Sequence, residues 1–107
     1  MRDIFIFSAG PGGRDVFQLL NDINSIEKTW NIKGYVDTDQ ELGNKVIDGN
    51  KVYHPNELQN LNLSGSCGIC GVLDPHIRQK VIQNEILPLG FNIPSLIHPS
   101  SIIANDF

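Results

Sequence analysis

Four consecutive apolar residues, Ile4-Phe5-Ile6-Phe7, open the hydrophobic pattern. A short run of β-branched and aromatic side chains without polar alternation predicts a strand covered on both faces. Three glycines in four positions follow, Gly10, Gly12 and Gly13. Val16, Phe17, Leu19, Leu20 and Ile23 then recur at helical spacing, predicting a helix that leaves this turn and ends near Ile23 or frays beyond it. Asn21 to Asn31 is a polar stretch carrying Ile26 and Trp30, and Ile32-Lys33-Gly34-Tyr35-Val36 reads as a second strand ending at Asp37. Asp48-Gly49 lies between the apolar pairs Val46-Ile47 and Val52-Tyr53, a signal for a hairpin or for a loop entering a short third strand. Pro55-Asn56-Glu57 predicts a helical turn ending near Leu61.

Ser66 to Val72 is small and apolar and reads as the next, central strand. Asp74-Pro75 combines an N-cap with a proline at the first helical position. Ile77, Val81 and Ile82 give that helix a buried stripe running to about Ile86, with Arg78 and Gln79 on other faces, and Pro88 and Gly90 stop it. Phe91 to Ile97 is expected as a last strand, with Pro94 tolerated on an edge. The order β-α-β-(short β)-β-α-β predicts an α/β fold with a parallel sheet and helices on both faces. Ligands bind such sheets at the carboxyl ends of strands, where the strand order reverses. The glycine turn and the loop Gly71-Val72-Leu73-Asp74 should flank that point.

The turn carries candidate chemistry. Gly10 and Gly13 fit the second and third positions of G-x-G-x-x-G, while Ser8 stands at the first. Glycine there lets a phosphate approach the backbone and lets helix and strand pack closely, and the helix start favours an anion. Glycine turns also join strands to helices where nothing binds. Asp37 lies 24 positions after Gly13, near the spacing at which an acid meets a ribose, though Asp37-Thr38-Asp39 also reads as a strand-end turn.

Composition narrows the classes. The chain has 107 residues, 40 % hydrophobic and 19 % charged, enough for one domain with a modest core. Its net charge is −4 and it has no run of Lys or Arg, which argues against a nucleic-acid surface. Apolar runs of about four residues fall far short of the ~20 that cross a bilayer. Met1-Arg2-Asp3 leads straight into the first strand, so no signal peptide and a cytoplasmic location are expected.

Other constellations are weaker. Cys67-Gly68-Ile69-Cys70 has the C-x-x-C spacing, but zinc needs about four ligands and a second pair is missing, so no metal site is expected. Inside a strand, positions i and i+3 face opposite sides, which predicts two small core cysteines. His54, His76 and His98 are scattered, with no G-x-S-x-G elbow, and no pair of carboxylates in a shared apolar setting is apparent. No catalytic residue is assigned. The tail, His98 to Phe107, stops in mid-pattern on apolar residues and is expected to continue in a longer protein.

Four motifs in order resemble the nucleotide-sugar-binding domain of the sialic-acid and bacillosamine type of sugar O- and N-acyltransferases. Ser8-Ala9-Gly10-Pro11-Gly12-Gly13-Arg14-Asp15-Val16 resembles the family's G-x-G-G-H-G followed by Arg-Glu-Val. Gly34-Tyr35-Val36-Asp37-Thr38 is similar to its Gly-Phe-hydrophobic-Asp-Asp. Gly71-Val72-Leu73-Asp74-Pro75-His76-Ile77-Arg78 is similar to its Gly-Asp-Asn-x-x-Arg, and Ile97-His98-Pro99-Ser100-Ser101 to its Ile-His-Pro-Ser-Ala. Two departures are Ser8 for the first glycine and Gly12 for the family's histidine.

The resemblance implies a small Rossmann-like domain over residues 1–97 that holds a UDP-linked amino sugar. Its implied substrate-binding residues are Ser8, Gly10, Pro11, Gly12, Gly13, Asp37, Thr38, Gly71, Asp74 and Arg78. It implies that residues 98–107 are a junction and the first rung of a left-handed β-helix. That second domain would bind acetyl-CoA, form a homotrimer and carry the catalytic histidine. This chain alone would then be a monomer without cofactor. Gly10, Gly13 and Asp37 leave open an NAD(P)-type module, and Ser8 and Gly12 leave open a ligand-free regulatory or scaffolding domain.

Overall fold

The computed structural model describes residues 1–43 and 45–96. Five strands form one sheet: β1 (Arg2–Phe7), β2 (Trp30–Val36), β3 (Val46–Ile47), β4 (Asn50–Tyr53) and β5 (Cys67–Cys70). Three α-helices accompany them, α1 (Pro11–Ile26), α2 (Pro55–Leu58) and α3 (Pro75–Val81). The strand order is β3-β4-β2-β1-β5. β1 pairs in parallel with β2 and β5, and β2 in parallel with β4. Among the described residues only β3 is antiparallel, on β4. The α/β class expected from the element order is present, and so is the Rossmann-like arrangement that the resemblance implies.

Alternation along β1 builds two cores. Ile4 and Ile6 face α1, packing with Leu20, Tyr35, Val52 and Cys67. Phe5 and Phe7 face the other way, packing with Val36, Leu58 of α2, Cys70, Ile86 and Phe91. Their rings meet Phe91 at 5.5 Å between centroids, a spacing favourable for tilted and edge-on aromatic pairs. Helical elements thus lie on both faces. The β1–β2 register slips between Ile4 and Phe5, opposite Lys33 and Gly34. Gly34 has φ +154°, and a side chain there would meet the Lys51 carbonyl and the Tyr53 ring.

Several boundaries differ from the pattern-based expectation. α1 runs to Ile26, and β2 begins at Trp30 rather than Ile32. Asn24 explains both. Its Oδ1 accepts from the amides of Thr29 (3.0 Å) and Trp30 (2.9 Å), and its Nδ2 donates to the Trp30 carbonyl (2.9 Å). One polar side chain in the last turn of the helix thereby seats the first residue of the strand, inside a stretch whose polarity resembled a loop.

Both readings of residues 46–53 hold together, because β3 and β4 form the hairpin and β4 also joins the sheet. The Cys67–Cys70 strand is not central. β1 occupies the middle, and β5 lies beside it at the end of the order of named strands. Phe91 to Leu96 forms no strand; a single bridge pairs Asn92 with Cys67. Ile97, the end of that expected strand, lies outside the described residues, as do His98 and the expected junction and β-helix rung at 98–107.

α3 starts where Asp74 and Pro75 predict, then continues as a π-helical turn (Ile82–Ile86) and a 3₁₀ turn (Leu87–Leu89). Gly90, with φ +82°, ends it in the left-handed conformation that favours glycine. Ile77 is exposed rather than part of a buried stripe, because α3 stands off the sheet at its start and closes on it at Ile86. No helix of the described residues is long and apolar enough to cross a membrane.

Candidate functional site

The chain leaves β1 for β2 and β4 on one side, then returns across the sheet to β5 on the other. The reversal therefore falls at β1, and its carboxyl end leads into Ser8-Ala9-Gly10. Ser8 has φ +104°, unusual for a residue with a side chain. Three bonds hold this turn. The Ser8 amide donates to the Val36 carbonyl at 2.7 Å. The Ala9 amide donates to Asp37 Oδ2 at 3.0 Å, and the Gly10 amide to Ser8 Oγ at 3.3 Å. Asp37 Oδ1 also accepts from the Asp39 amide, at 2.9 Å. Asp37 is thus a strand-end turn residue, and it locks the end of β2 to the glycine turn.

The three glycines have different duties. Gly10 is the N-cap of α1, with φ −81°, and a Cβ there would meet only Ser8 Oγ, at 3.6 Å. Gly12 and Gly13 lie in the first turn of the helix. A side chain on Gly12 would collide with the Gly71 carbonyl, and one on Gly13 with the Ser8 carbonyl. Gly71 in turn lies against Gly13 and Gly12. Gly12, Gly13 and Gly71 therefore form a backbone-to-backbone contact that seats α1 between the ends of β1 and β5.

Two cavities flank the turn. One, of about 280 Å³, opens at the carboxyl ends of β1 and β2. Ser8, Asp37 and Thr38 are polar members of its lining; Phe7, Val36, Val72, Ile77 and Val81 are apolar, and Glu85 closes the far side. The other, of about 550 Å³, lies beside the start of α1 between Gly10, Pro11, Arg14, Phe17 and Asp48. Asp74 caps α3, accepting from the amides of His76 (3.0 Å) and Ile77 (3.1 Å). Arg78 is exposed on α3. The structure thus gathers Ser8, Asp37 and Thr38 around one cavity and Gly10 and Pro11 around the other. Gly12, Gly13, Gly71, Asp74 and Arg78 line neither.

Charge is unevenly placed. Arg14 donates from Nε and Nη2 to Asp48 at 3.1 and 3.2 Å, and the Tyr35 hydroxyl donates to Asp48 at 3.0 Å. The Arg14 hydrogen bond holds the Asp48 carboxyl below its ordinary range. Burial, reinforced by Asp48, pushes the Tyr35 hydroxyl above its own. This trio ties α1 to the β3–β4 hairpin. Across the turn, burial raises the Glu85 pKa, and the nearby Asp37 charge raises it further. Two carboxylates therefore do share an apolar-walled cavity, contrary to the sequence reading. The signal was a stripe of period four, Ile77, Val81 and Glu85, with the acid hidden in the apolar row. Arg14, Asp48 and Tyr35 carried no such signal, since 34 positions separate the first two. Of the histidines, His54 caps α2 through Nδ1 and His76 is exposed on α3; His98 lies outside the described residues. Among the described residues, no three His, Cys, Asp or Glu are grouped to hold a metal. Cys67 and Cys70 are free and buried on opposite faces of β5.

No family model matches the chain, and no curated protein matches it. Solved structures do. The UDP-D-quinovosamine 4-dehydrogenase of Vibrio fischeri is similar at 18 % identity with a TM-score of 0.67, over 99 % of this chain and 86 % of that one. The acetyltransferase domain of PglB from Neisseria gonorrhoeae is similar at 25 % identity with a TM-score of 0.67, over 92 % of this chain and 45 % of that one. The same domain has also been solved in complex with acetyl coenzyme A. RSP, a Rex-family repressor solved with β-NADH, is similar at 17 % identity with a TM-score of 0.53, over 99 % of this chain and 58 % of that one. These likenesses establish the fold. This chain spans less than half the length of the PglB domain.

Proposed function

We propose that this chain is a nucleotide-sugar-binding module that serves a sugar acyltransferase. The carrying observation is the cavity at the carboxyl ends of β1 and β2, where apolar Phe7, Val36, Val72, Ile77 and Val81 face polar Ser8, Asp37 and Thr38. Apolar walls suit the face of a base, and the polar side suits ribose hydroxyls. At about 280 Å³ the cavity lies just below the usual range for ligand sites, so it would take the nucleoside part of the ligand and leave the rest outside. Asp37 and Glu85 exclude phosphate from it. A diphosphate would cross the turn at Gly10, and the sugar would reach the larger cavity beside Arg14 and Asp48. The likenesses to a UDP-sugar enzyme and to an acetyltransferase domain support this reading.

Acyl transfer would fall to a second domain, with acetyl-CoA and trimer contacts belonging there. General-base catalysis needs a suitable group within hydrogen-bond reach of the attacking atom. His54 is engaged as a cap and His76 is exposed, so neither is placed for that task. Incubated with acetyl-CoA and a UDP-amino sugar, the chain alone should release no free thiol above background. Turnover lost in His76→Ala would refute that division.

A second reading, an NAD-type module, is favoured by an acid at the end of β2 and by the likeness to a repressor solved with β-NADH. NMR titration separates the two. UDP-N-acetylglucosamine should shift the amides of residues 8–10, 37–38, 72–74, 76 and 77. Tight binding of NAD with no response to the UDP-sugar reverses the order. Silence toward both leaves a scaffolding domain.

A further inference from the structure

We propose that Ser8 is a specificity-determining residue that weakens diphosphate binding by occupying the Gly10 amide. The inference rests on the nucleotide-sugar reading and concerns the same site. All three amides of the turn are spent internally, on the Val36 carbonyl, on Asp37 and on Ser8 Oγ. They are not equally held. The bond to Val36, at 2.7 Å, ties the end of β1 to β2, and the bond to the Asp37 carboxylate, at 3.0 Å, is charge-assisted. The Gly10 amide reaches a neutral hydroxyl two residues away, at 3.3 Å, the longest of the three. It is the one that yields.

Its position gives it consequence. Ser8 lines the smaller cavity and Gly10 the larger, so their bond spans the ridge between them. A diphosphate passing from one cavity to the other lies on that ridge. It gains the Gly10 amide only by displacing the serine hydroxyl. Glycine in place of Ser8 would leave the amide free and would also remove the cost of φ +104° in a residue with a Cβ. Ser8 holds its conformation because its neighbours over-determine it, through the hydrogen bonds donated by its own amide and by that of Ala9.

Three variants and two probes test this. The parent, Ser8→Ala and Ser8→Gly are titrated with UDP and with uridine, reading dissociation constants by NMR. Ser8→Ala deletes the hydroxyl and keeps the strained backbone; Ser8→Gly deletes both. Each should bind UDP about three- to tenfold more tightly than the parent, the worth of one released hydrogen bond. Uridine affinity should not rise with it, because the group that competes for the Gly10 amide is the phosphate. Unchanged or weaker UDP binding by a folded Ser8→Ala, with the parent still binding UDP, overturns the inference and leaves the site reading intact. Equal gains for UDP and uridine also overturn it, since the hydroxyl would then obstruct the nucleoside. No binding of either probe by all three proteins overturns both.

Discussion

The glycines beside the site should separate cleanly by substitution, since one faces open space and two face backbone. At Gly13 a Cβ collides with the Ser8 carbonyl, which belongs to the turn and cannot rotate away. Overpacking of this kind costs up to about 3 kcal/mol when backbone must shift. Alanine returns about 1 kcal/mol of helix propensity within α1. Gly13→Ala should therefore be less stable by about 2 kcal/mol, roughly a 10 °C fall in Tm for a chain of this size. At Gly10 the added Cβ meets only Ser8 Oγ, and φ −81° suits any residue. The gain from a stiffer unfolded chain, about 0.4–1 kcal/mol, is offset by the poorer N-cap that alanine makes, so Gly10→Ala should lie within about 0.5 kcal/mol of the parent. Urea unfolding with an unchanged m value gives both numbers. Gly10→Val should stay folded and yet lose UDP-sugar binding, because its branches fill the ridge between the cavities. A Gly13→Ala protein as stable as the parent would refute the backbone contact as the reason for that glycine. A Gly10→Val protein that binds as the parent does would remove Gly10 from the site.

Asn24→Ala should destabilise by about 2 kcal/mol, because the amide of Trp30, a residue only 6 % exposed, loses its acceptor while the helix gains slightly; urea midpoints measure it. Acid should weaken the molecule through Asp48: its folded pKa is depressed, so its contribution is present above the ordinary value of 3.8 and is lost as pH falls through the lower folded value. Asp48→Asn should flatten that acid limb in a Tm-against-pH series. Glu85 acts with the opposite sign, since its folded pKa is raised; its contribution is complete below 4.5 and is lost as pH rises through the folded value. Glu85→Gln should accordingly raise Tm at pH 7 and leave it unchanged near pH 4.

Periodicity made the two main helices and β1 legible because their signals are local. The apolar run at Ile4–Phe7 and the cap at Asp74-Pro75 each state their own structure. The apolar pattern starts β2 two residues late because what starts the strand is Asn24, a side chain in another element. Asp48-Gly49 signals a hairpin or a loop into a short strand, and both occur, but nothing local shows that Asp48 receives Arg14 and Tyr35 from other elements. Phe91–Leu96 had strand composition, yet it meets the sheet through Asn92 alone. The glycine turn was found as a motif. Its division into a contact of Gly12, Gly13 and Gly71 and an open Gly10 depends on which backbone lies opposite each residue, and one chain of letters does not carry that.

The two cysteines of β5 form a built-in reporter. Cys67 lies under the layer that contains α1, and Cys70 under the layer of α2 and Ile86. Buried thiols react with an alkylating reagent only when their cover lifts, and covers lift in cooperative pieces with their own free energies. The chain holds no other cysteine. Detachment of one layer would mark one thiol and spare the other, whereas whole-molecule opening would mark both. Peptide mapping after brief alkylation thus reads the two sides of the sheet independently, with no engineered label.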